Sequence, residues 1–381
     1  MTNARRSTEI LIIGAGPSGA ALAVWLAELG VECLLVDRAH FPRRKPCASC
    51  FSPRCFPLLR RLGLEDTVRT GQQLQFIEVQ NEKARVRFDT ASNAFGPDFH
   101  VFPRPEFDRL LVEKARALHI PVLEGVSIEG LKRSGNRVVG AHSQGWEFEA
   151  KATVVATGAF SRFLPAAHRK QMLSYQTLIG WYEGLADLDP LTTDSFAAPW
   201  LLGSGWIFPE SHDRVNVGIM VHERQLKARG NNIHRLFDAY CSSPFARERL
   251  RGARRVGPLQ GSPIRYTVHP TGICDDGFLM VGEACLLTHP LTGEGISQAL
   301  RSAALAAEIL VSAHREGTYN RELLLPYEQG IENLFGRNFW KGQFLRRWMD
   351  RPVPLGIAIR LACRWPTLHD QLAKRLHRLV L

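Results

Sequence analysis

Four successive apolar residues, Ile10 to Ile13, follow Glu9. Such a run suits a strand buried on both faces of a parallel sheet. Gly14 to Gly19 then turns the chain into a helix whose pattern runs to about Leu29, and Val31 to Val36 reads as a second buried strand. Together they form a βαβ unit. Pro53 to Leu62 has helical spacing, Leu74 to Phe88 alternates like a hairpin, and Phe99 to Phe102 resembles a further strand. Pro105 to Leu118 reads as a helix with its proline near the start. Between Val122 and Ala150, short strands are punctuated by turn signals at Gly135-Asn136 and Gly145. Thr153 to Ala156 returns as a buried strand.

From Leu173 to Gly261 the pattern changes to aromatic-rich strands, with one helix near Ile233 to Cys241. Phe278 to Val281 is again a buried strand, and Gly295 opens a long Ala-rich helix. Segments of the first kind therefore flank a different unit. The expected architecture is α/β, with a discontinuous Rossmann-type domain over 1–73, 100–172 and 262–330. An α+β domain, over 74–99 and 173–261, is inserted into it, and a helical C-terminal region covers 331–381.

Composition adds little beyond an ordinary globular chain: 45% hydrophobic and 22% charged residues. Charge changes the picture more. From Ile331 onward, ten Lys or Arg face three acids, a net +7 out of +11 for the chain, and Trp340, Phe344, Leu345, Trp348 and Trp365 interleave with them. A solvated helix face and contact with an anionic membrane surface both fit this pattern. Nucleic acid is not expected, since no recognition module accompanies the basic residues. No apolar run reaches the roughly 18–20 residues of a membrane span. The first residues lead into a strand without a secretory-type apolar segment. We expect a cytoplasmic protein, with peripheral attachment at the inner membrane face as the membrane variant. Eight scattered cysteines suit a reducing compartment better than a disulfide framework.

Gly14-Ala15-Gly16-Pro17-Ser18-Gly19 fits G-x-G-x-x-G between a strand and a helix. The glycines permit a tight turn, close approach of a pyrophosphate, and close helix–sheet packing, while the helix N-terminus faces the phosphate charge. Asp37, with Arg38 beside it, ends the second strand where a ribose hydroxyl is held. Three further segments point to FAD rather than NAD. Arg104 precedes Pro105-Glu106-Phe107-Asp108-Arg109-Leu110. A buried strand ends in Ala156-Thr157-Gly158-Ala159. Gly282-Glu283-Ala284 leads into Pro290-Leu291-Thr292-Gly293-Glu294-Gly295-Ile296. The Gly293–Ile296 amides are expected to face the flavin ring and stabilise negative charge developing on it.

These segments resemble the FAD-dependent family of aromatic hydroxylases, flavin halogenases and geranylgeranyl reductases, over roughly residues 8 to 310. The resemblance implies a glutathione-reductase-like fold holding FAD non-covalently. It implies that Asp37 holds the adenosine ribose, that Arg104 lies beside the phosphates and ribityl chain, and that Glu283 takes the ribityl-binding position of an Asp. Thr157 stands where the hydroxylases usually carry Asp. Phe41-Pro42-Arg43-Arg44-Lys45-Pro46-Cys47 is similar to the F-P-R-x-K-x-C-G-G segment of the geranylgeranyl reductases, with Ala48 and Ser49 replacing the glycines. Gly205-Trp206-Ile207-Phe208-Pro209 with Val215-Asn216-Val217-Gly218 is similar to their substrate-cavity segment, with Ser204 and Met220 as departures.

Cys47, Lys45 and His289 are the expected catalytic residues. The resemblance implies that Cys47 faces the flavin and relays a proton or tunes the ring; Lys45 is expected to lower the pKa of that thiol, and His289 to donate a proton near neutral pH. Cys47 with Cys50 also spells C-x-x-C. No metal is expected. Trp200, Trp206 and Phe208 read either as core or as an apolar substrate cavity. The leading expectation is reduction of a C=C bond in a lipophilic isoprenoid or polyketide-like substrate. A monooxygenase acting on an aromatic or polyketide compound and a non-catalytic FAD-holding partner protein are the rivals. NAD(P)H, reduced flavin or ferredoxin is the expected electron donor.

Overall fold

The computed structural model describes residues 4–349 apart from 83–84, 91–97, 161, 166–168, 170–171, 186–188, 202, 229 and 231. Residues 350–381, most of the basic tail, lie outside the described residues.

An eight-stranded sheet forms the centre of the FAD-type domain. Ala4–Ile13 lies between Trp146–Val155 and Cys33–Val36, parallel to both. Phe278–Met280 extends the sheet on one side and Val122–Leu123 on the other, again in parallel. Ile10, Leu11 and Ile12 are wholly buried, which is why that stretch is apolar without alternation. Helix α1 (Pro17–Glu28) follows directly, with Pro17 in the first turn where no amide is missed. Helix α2 (Arg104–Ala117) lies against α1.

A seven-stranded sheet forms the second layer, in the order Arg254–Tyr266, Leu173–Glu183, Arg214–His222, Gly203–Pro209, Thr192–Ala198, Phe76–Gln80, Arg85–Asp89. The hairpin of Phe76–Gln80 and Arg85–Asp89 joins it through a parallel pairing with Thr192–Ala198. Leu74 instead pairs with Phe99 in a small separate sheet. The last strand runs on to Tyr266, beyond Gly261.

Alternation gives this sheet two unlike faces. Leu178, Ile207, Val217, Ile219 and Val221 point to one side and pack with Phe237 and Tyr240 of helix α3 (Ile233–Ser242). Tyr175, Met220 and Tyr266 cluster on the other side, with Trp206 and Ile264 against them.

Helix α4 (Ile296–Arg315) packs on α1, and α5 (Arg321–Ile331) packs on α4. A π turn, Glu332–Gly336, then leads into α6 (Arg337–Met349). Among the described residues, no helix is long and apolar enough to cross a membrane.

Candidate active site

The site begins at the Gly14–Gly19 turn. Gly14 has φ +110°, and a Cβ there would come within 2.5 Å of the Ala156 carbonyl oxygen. Only glycine fits such backbone-to-backbone contact. A Cβ on Gly19 would likewise collide with the Gly14 carbonyl. Asp37 fixes the turn from below: its carboxylate accepts the Ala15 N–H at 2.7 Å and the Ala39 N–H at 2.8 Å. A carboxylate has lone pairs to spare for a ribose hydroxyl after these two bonds. Arg38 is exposed. Ser18 is buried against Gly282, which has φ +65° and donates its N–H to Ser302 Oγ at 3.0 Å.

Two arginines share one acid beside this turn. Arg104 grips Asp108, one helical turn on, through Nε at 3.1 Å and Nη2 at 3.0 Å. Arg43 reaches the same carboxylate through Nη2 at 3.2 Å, and that nitrogen is 3.3 Å from where a Cβ on Gly16 would stand. Burial works against the Arg104 charge, but the Asp108 carboxylate and the Cys47 sulfur outweigh it and raise its pKa. Two guanidiniums on one carboxylate leave a net positive charge at the turn, suited to a pyrophosphate. Arg43 and Asp108 lie within the sequence motifs but are not among the site residues expected from sequence. The i, i+4 spacing of Arg104 and Asp108 was the available signal for Asp108; Arg43 had none.

The side expected to face the flavin ring is built from three loops. Lys45 Nζ meets Glu283 Oε2 at 3.4 Å, and a Cβ on Gly158 would stand 3.7 Å from that nitrogen. The Thr157 hydroxyl next to it is buried and has no hydrogen-bond partner among the described residues. Following Pro290, which is buried, the loop folds on itself: Gly293 donates to the His289 carbonyl at 2.9 Å and Glu294 donates to Thr292 Oγ1 at 3.3 Å. Two of the four amides expected to face the ring are thereby used. Gly295 and Ile296, at the N-terminus of α4, keep theirs free of a partner among the described residues.

His289 departs from its expected role. Its Nδ1 accepts the Leu291 and Thr292 amides at 3.3 Å each, so the proton sits on Nε2. Burial, aided by the Arg54 charge, pushes its pKa down to about 3. It is a neutral loop-holding imidazole, and donation from an imidazolium near neutral pH does not follow from this geometry.

Cys47 sits where the two domains meet. Its sulfur accepts the Ser49 N–H at 3.3 Å and an Arg104 Nη1–H at 3.7 Å. The cation at the thiol is therefore Arg104; the Lys45 ammonium is engaged with Glu283 instead. Asn216, fully buried on the inserted sheet, donates to the Cys47 carbonyl at 3.0 Å and accepts Trp206 Nε1–H at 2.9 Å. Cys47 and Cys50 are both free, and burial raises the Cys50 pKa.

Trp206 and Phe208 lie near one another on the face that carries Asn216 and Met220, with ring centroids 6.4 Å apart. Met220 reaches the flavin loop, its sulfur 3.3 Å from where a Cβ on Gly293 would stand. Trp200 is not with them. It follows the Thr192–Ala198 strand in a turn, packs on Phe196 of the α3-covered core, and donates to Glu82 at 2.8 Å.

These residues fit FAD. The turn's glycines allow close backbone approach, Arg43 Nη2 stands over Gly16, and among the described residues the buried Arg43 Nε and Thr157 Oγ1 have no hydrogen-bond partner. Residues 7–195 match the family described as FAD binding domain. The chain is 26% identical over 343 residues to a menaquinone reductase of Mycobacterium tuberculosis, covering 87% of this chain and 82% of that protein. It is 27% identical over 355 residues to a digeranylgeranylglycerophospholipid reductase of Picrophilus torridus, covering 90% and 86%. Its fold matches a geranylgeranyl bacteriochlorophyll reductase-like protein of Thermoplasma acidophilum with a TM-score of 0.79 at 20% identity, over 99% of this chain and 92% of the other. The chain is an FAD-dependent oxidoreductase, similar over most of its length to geranylgeranyl-type and menaquinone reductases.

Proposed function

We propose that this enzyme reduces a C=C bond of a lipophilic, isoprenoid-type substrate. The observation that carries the reading is the apolar wall of Tyr175, Trp206, Met220 and Ile264, joined by Asn216 to the loop that holds Cys47. Trp206 and Ile264 are half-buried, and a long apolar tail gains by leaving water against them, with the buried Tyr175 and Met220 behind. The reductase relatives act, by their names, on an isoprenoid lipid or on menaquinone.

Bound FAD supplies two electrons and one hydrogen to the double bond. The chain supplies the rest. Arg43, Arg104 and the Gly14–Gly19 turn hold the phosphates, and Asp37 takes a ribose hydroxyl. The Gly295 and Ile296 amides offer positive dipole to the ring. Two donors already aim at the Cys47 sulfur, from Ser49 and Arg104, so its own S–H points elsewhere. We assign that S–H as the proton given to the second carbon. Lys45 and Glu283 hold the loops around the ring, and His289 keeps the 289–294 loop folded.

Attachment to an anionic membrane surface is part of the reading. Trp340 and Phe344 are 57% and 65% exposed on α6 and stack at 6.1 Å, with Arg337, Lys341 and Arg347 on the same helix. Exposed aromatics among basic residues suit a lipid headgroup boundary.

Product mass tests the reaction. Holoenzyme is reduced chemically under anaerobic conditions and given geranylgeranyl-lipid or menaquinone substrate. Gain of two hydrogens supports the reading. Gain of an oxygen atom, seen only with oxygen present, makes it a monooxygenase; bound FAD without any product makes it a holding protein.

A further inference from the structure

Helix α6 is inside out for a helix lying on a protein surface in water. Such a helix turns its apolar stripe inward and its polar residues outward. Here Trp340 and Phe344 stand exposed on the outer face, while Gln343 and Arg346 are buried on the inner one. Leu334, on the π turn before the helix, is exposed as well. Three of the five exposed large hydrophobic residues among the described ones therefore fall within 334–344, so the pattern is a patch rather than scatter.

The inner face joins the two layers that meet at the site. Phe339 meets the His289 ring edge-on at 5.6 Å, and Gly342 lies so close that a Cβ would stand 2.8 Å from the ring's Cε1. One turn on, the Arg346 guanidinium lies 5.2 Å over the Tyr175 ring, which stacks on Tyr266. The helix thus reaches from the 289–294 loop to the apolar wall of the inserted sheet. Alanine is favoured over glycine in a helix interior, and the close seat on His289 is what excludes it at 342. His289 in turn accepts the Leu291 and Thr292 amides, so the seating of α6 bears on the fold of that loop.

This seat is thin in apolar terms. Phe339 is the one large hydrophobic side chain that α6 buries among the described residues, and a cation over a ring holds the other end. The outer face has more apolar surface to lose from water than the inner face has hidden. Its charges name the partner. Arg337 and Arg347 are exposed and Lys341 half-exposed on the same helix, and six further Lys or Arg against two acids follow in residues 350–381. Rings set among cations match an anionic bilayer, whose headgroups take the charge and whose interface takes the rings.

We propose that α6 is a cover over the substrate end of the site, seated in water and lifted when an anionic bilayer takes up Leu334, Trp340 and Phe344. Lipid then reaches the Tyr175–Trp206 wall from the membrane, past Gln343 and Arg346. A bilayer shifts this balance only by binding the lifted state better. It does so because lifting lets the two rings sink deeper and frees Arg346 from Tyr175 to meet the headgroups. The cover rests on the membrane attachment read above and adds that attachment and access are one event.

Hydrogen exchange in FAD-loaded full chain tests the cover, read at the 289–294 loop rather than on α6 itself. The probes are vesicles of phosphatidylcholine alone and of phosphatidylcholine with phosphatidylglycerol, and co-sedimentation reports attachment. The Leu291, Thr292 and Gly293 amides are expected to exchange about tenfold or more faster on the anionic vesicles and to keep their rate in buffer with the neutral ones. Gly342→Ala drives a methyl against His289 and is expected to quicken the loop without any vesicle. Trp340→Ala with Phe344→Ala, both at exposed positions, is expected to remove attachment and the vesicle effect together, and it carries the test if Gly342→Ala fails to fold. Anionic vesicles that bind wild type without quickening the loop overturn the cover and leave the attachment standing. Failure to bind them overturns both. A concentration-dependent dimer that shields Trp340 and Phe344 assigns the outer face to a second copy and overturns the bilayer as partner. Folded Gly342→Ala with the wild-type exchange rate overturns the seat on His289. Flavin content checks each variant, and product mass is read separately, so the reductase reading stands or falls on its own.

Discussion

At the Gly14–Gly19 turn, backbone meets backbone: the Gly14 position abuts the Ala156 carbonyl, and Asp37 accepts two main-chain amides. On the Tyr175–Trp206 wall, side chain meets side chain: the Trp206 indole lies across Gly218 and its Nε1–H reaches Asn216. The first kind of contact admits few residue types, so it leaves a short, fixed motif. The second admits many, provided that volume and hydrogen bonds are conserved. On our reading of the site, backbone contact limits the residue types at the cofactor end, and side-chain contact limits them less at the proposed substrate end.

The sharpest way to break this contrast is at the cofactor end. Gly16→Glu places a carboxylate beside Arg43 Nη2, 3.3 Å from the new Cβ, where the pyrophosphate is expected. Purified protein is expected to be colourless; a normal flavin spectrum would remove the phosphate assignment. Asp108→Asn is next. It leaves Arg43 and Arg104 without their shared negative charge in a buried place. The expected cost is about 3–5 kcal/mol of stability, measured by denaturant unfolding. An unchanged midpoint would mean that the arginines have another counter-charge.

The substrate-side sheet carries a pH-dependent weakness of its own, on the alkaline side. Asp194 pairs across strands with Glu78, and both are buried. Burial first raises the Asp194 pKa, Arg249 opposes it, and Glu78 adds to it, for a value of about 7 against 3.8. An acid whose folded pKa lies above its unfolded value binds its proton more tightly when folded. Its contribution to stability is complete below 3.8 and is lost as pH rises through about 7. The thermal midpoint is expected to fall across this window, and Asp194→Asn to flatten the fall. A midpoint as steep in the variant would assign the dependence elsewhere.

Asn216→Ala has a smaller effect on stability, about 1–3 kcal/mol, because it leaves the Cys47 carbonyl and the Trp206 indole without their shared partner. Its expected mark is functional: FAD stays bound while turnover of the reduced holoenzyme falls. Equal losses of flavin and turnover would make Asn216 a general structural residue.

The contrast also explains what could be read in advance. The strand of Ile10 to Ile13, the glycine turn, Asp37 and the opening of α4 at Gly295 each follow from local backbone demands. Arg43 did not, because its meeting with Asp108 spans 65 residues and obeys no period. Trp200 misled because alternation ends at its turn, so nothing local chose its face. His289 misled for another reason: its type suggests titration, and only tertiary burial holds it neutral.

The smallest predicted effect lies at the seam between the two ends. Ser49 has φ +61° and is 3% exposed, at a position where the resembling reductases carry glycine. A side chain in the left-handed region costs about 1–2 kcal/mol. Ser49 bears this cost while its N–H donates to the Cys47 sulfur and its carbonyl accepts the Phe102 N–H. Ser49→Gly keeps both bonds and removes the strain, but it adds freedom to the unfolded chain, which takes back part of the gain. The expected result is a rise of up to about 1 kcal/mol in denaturant unfolding with turnover unchanged. A loss of stability would mean that the buried Ser49 side chain contributes packing worth more than its strain, and would place this loop with the substrate end, where side chains rather than backbone set the structure.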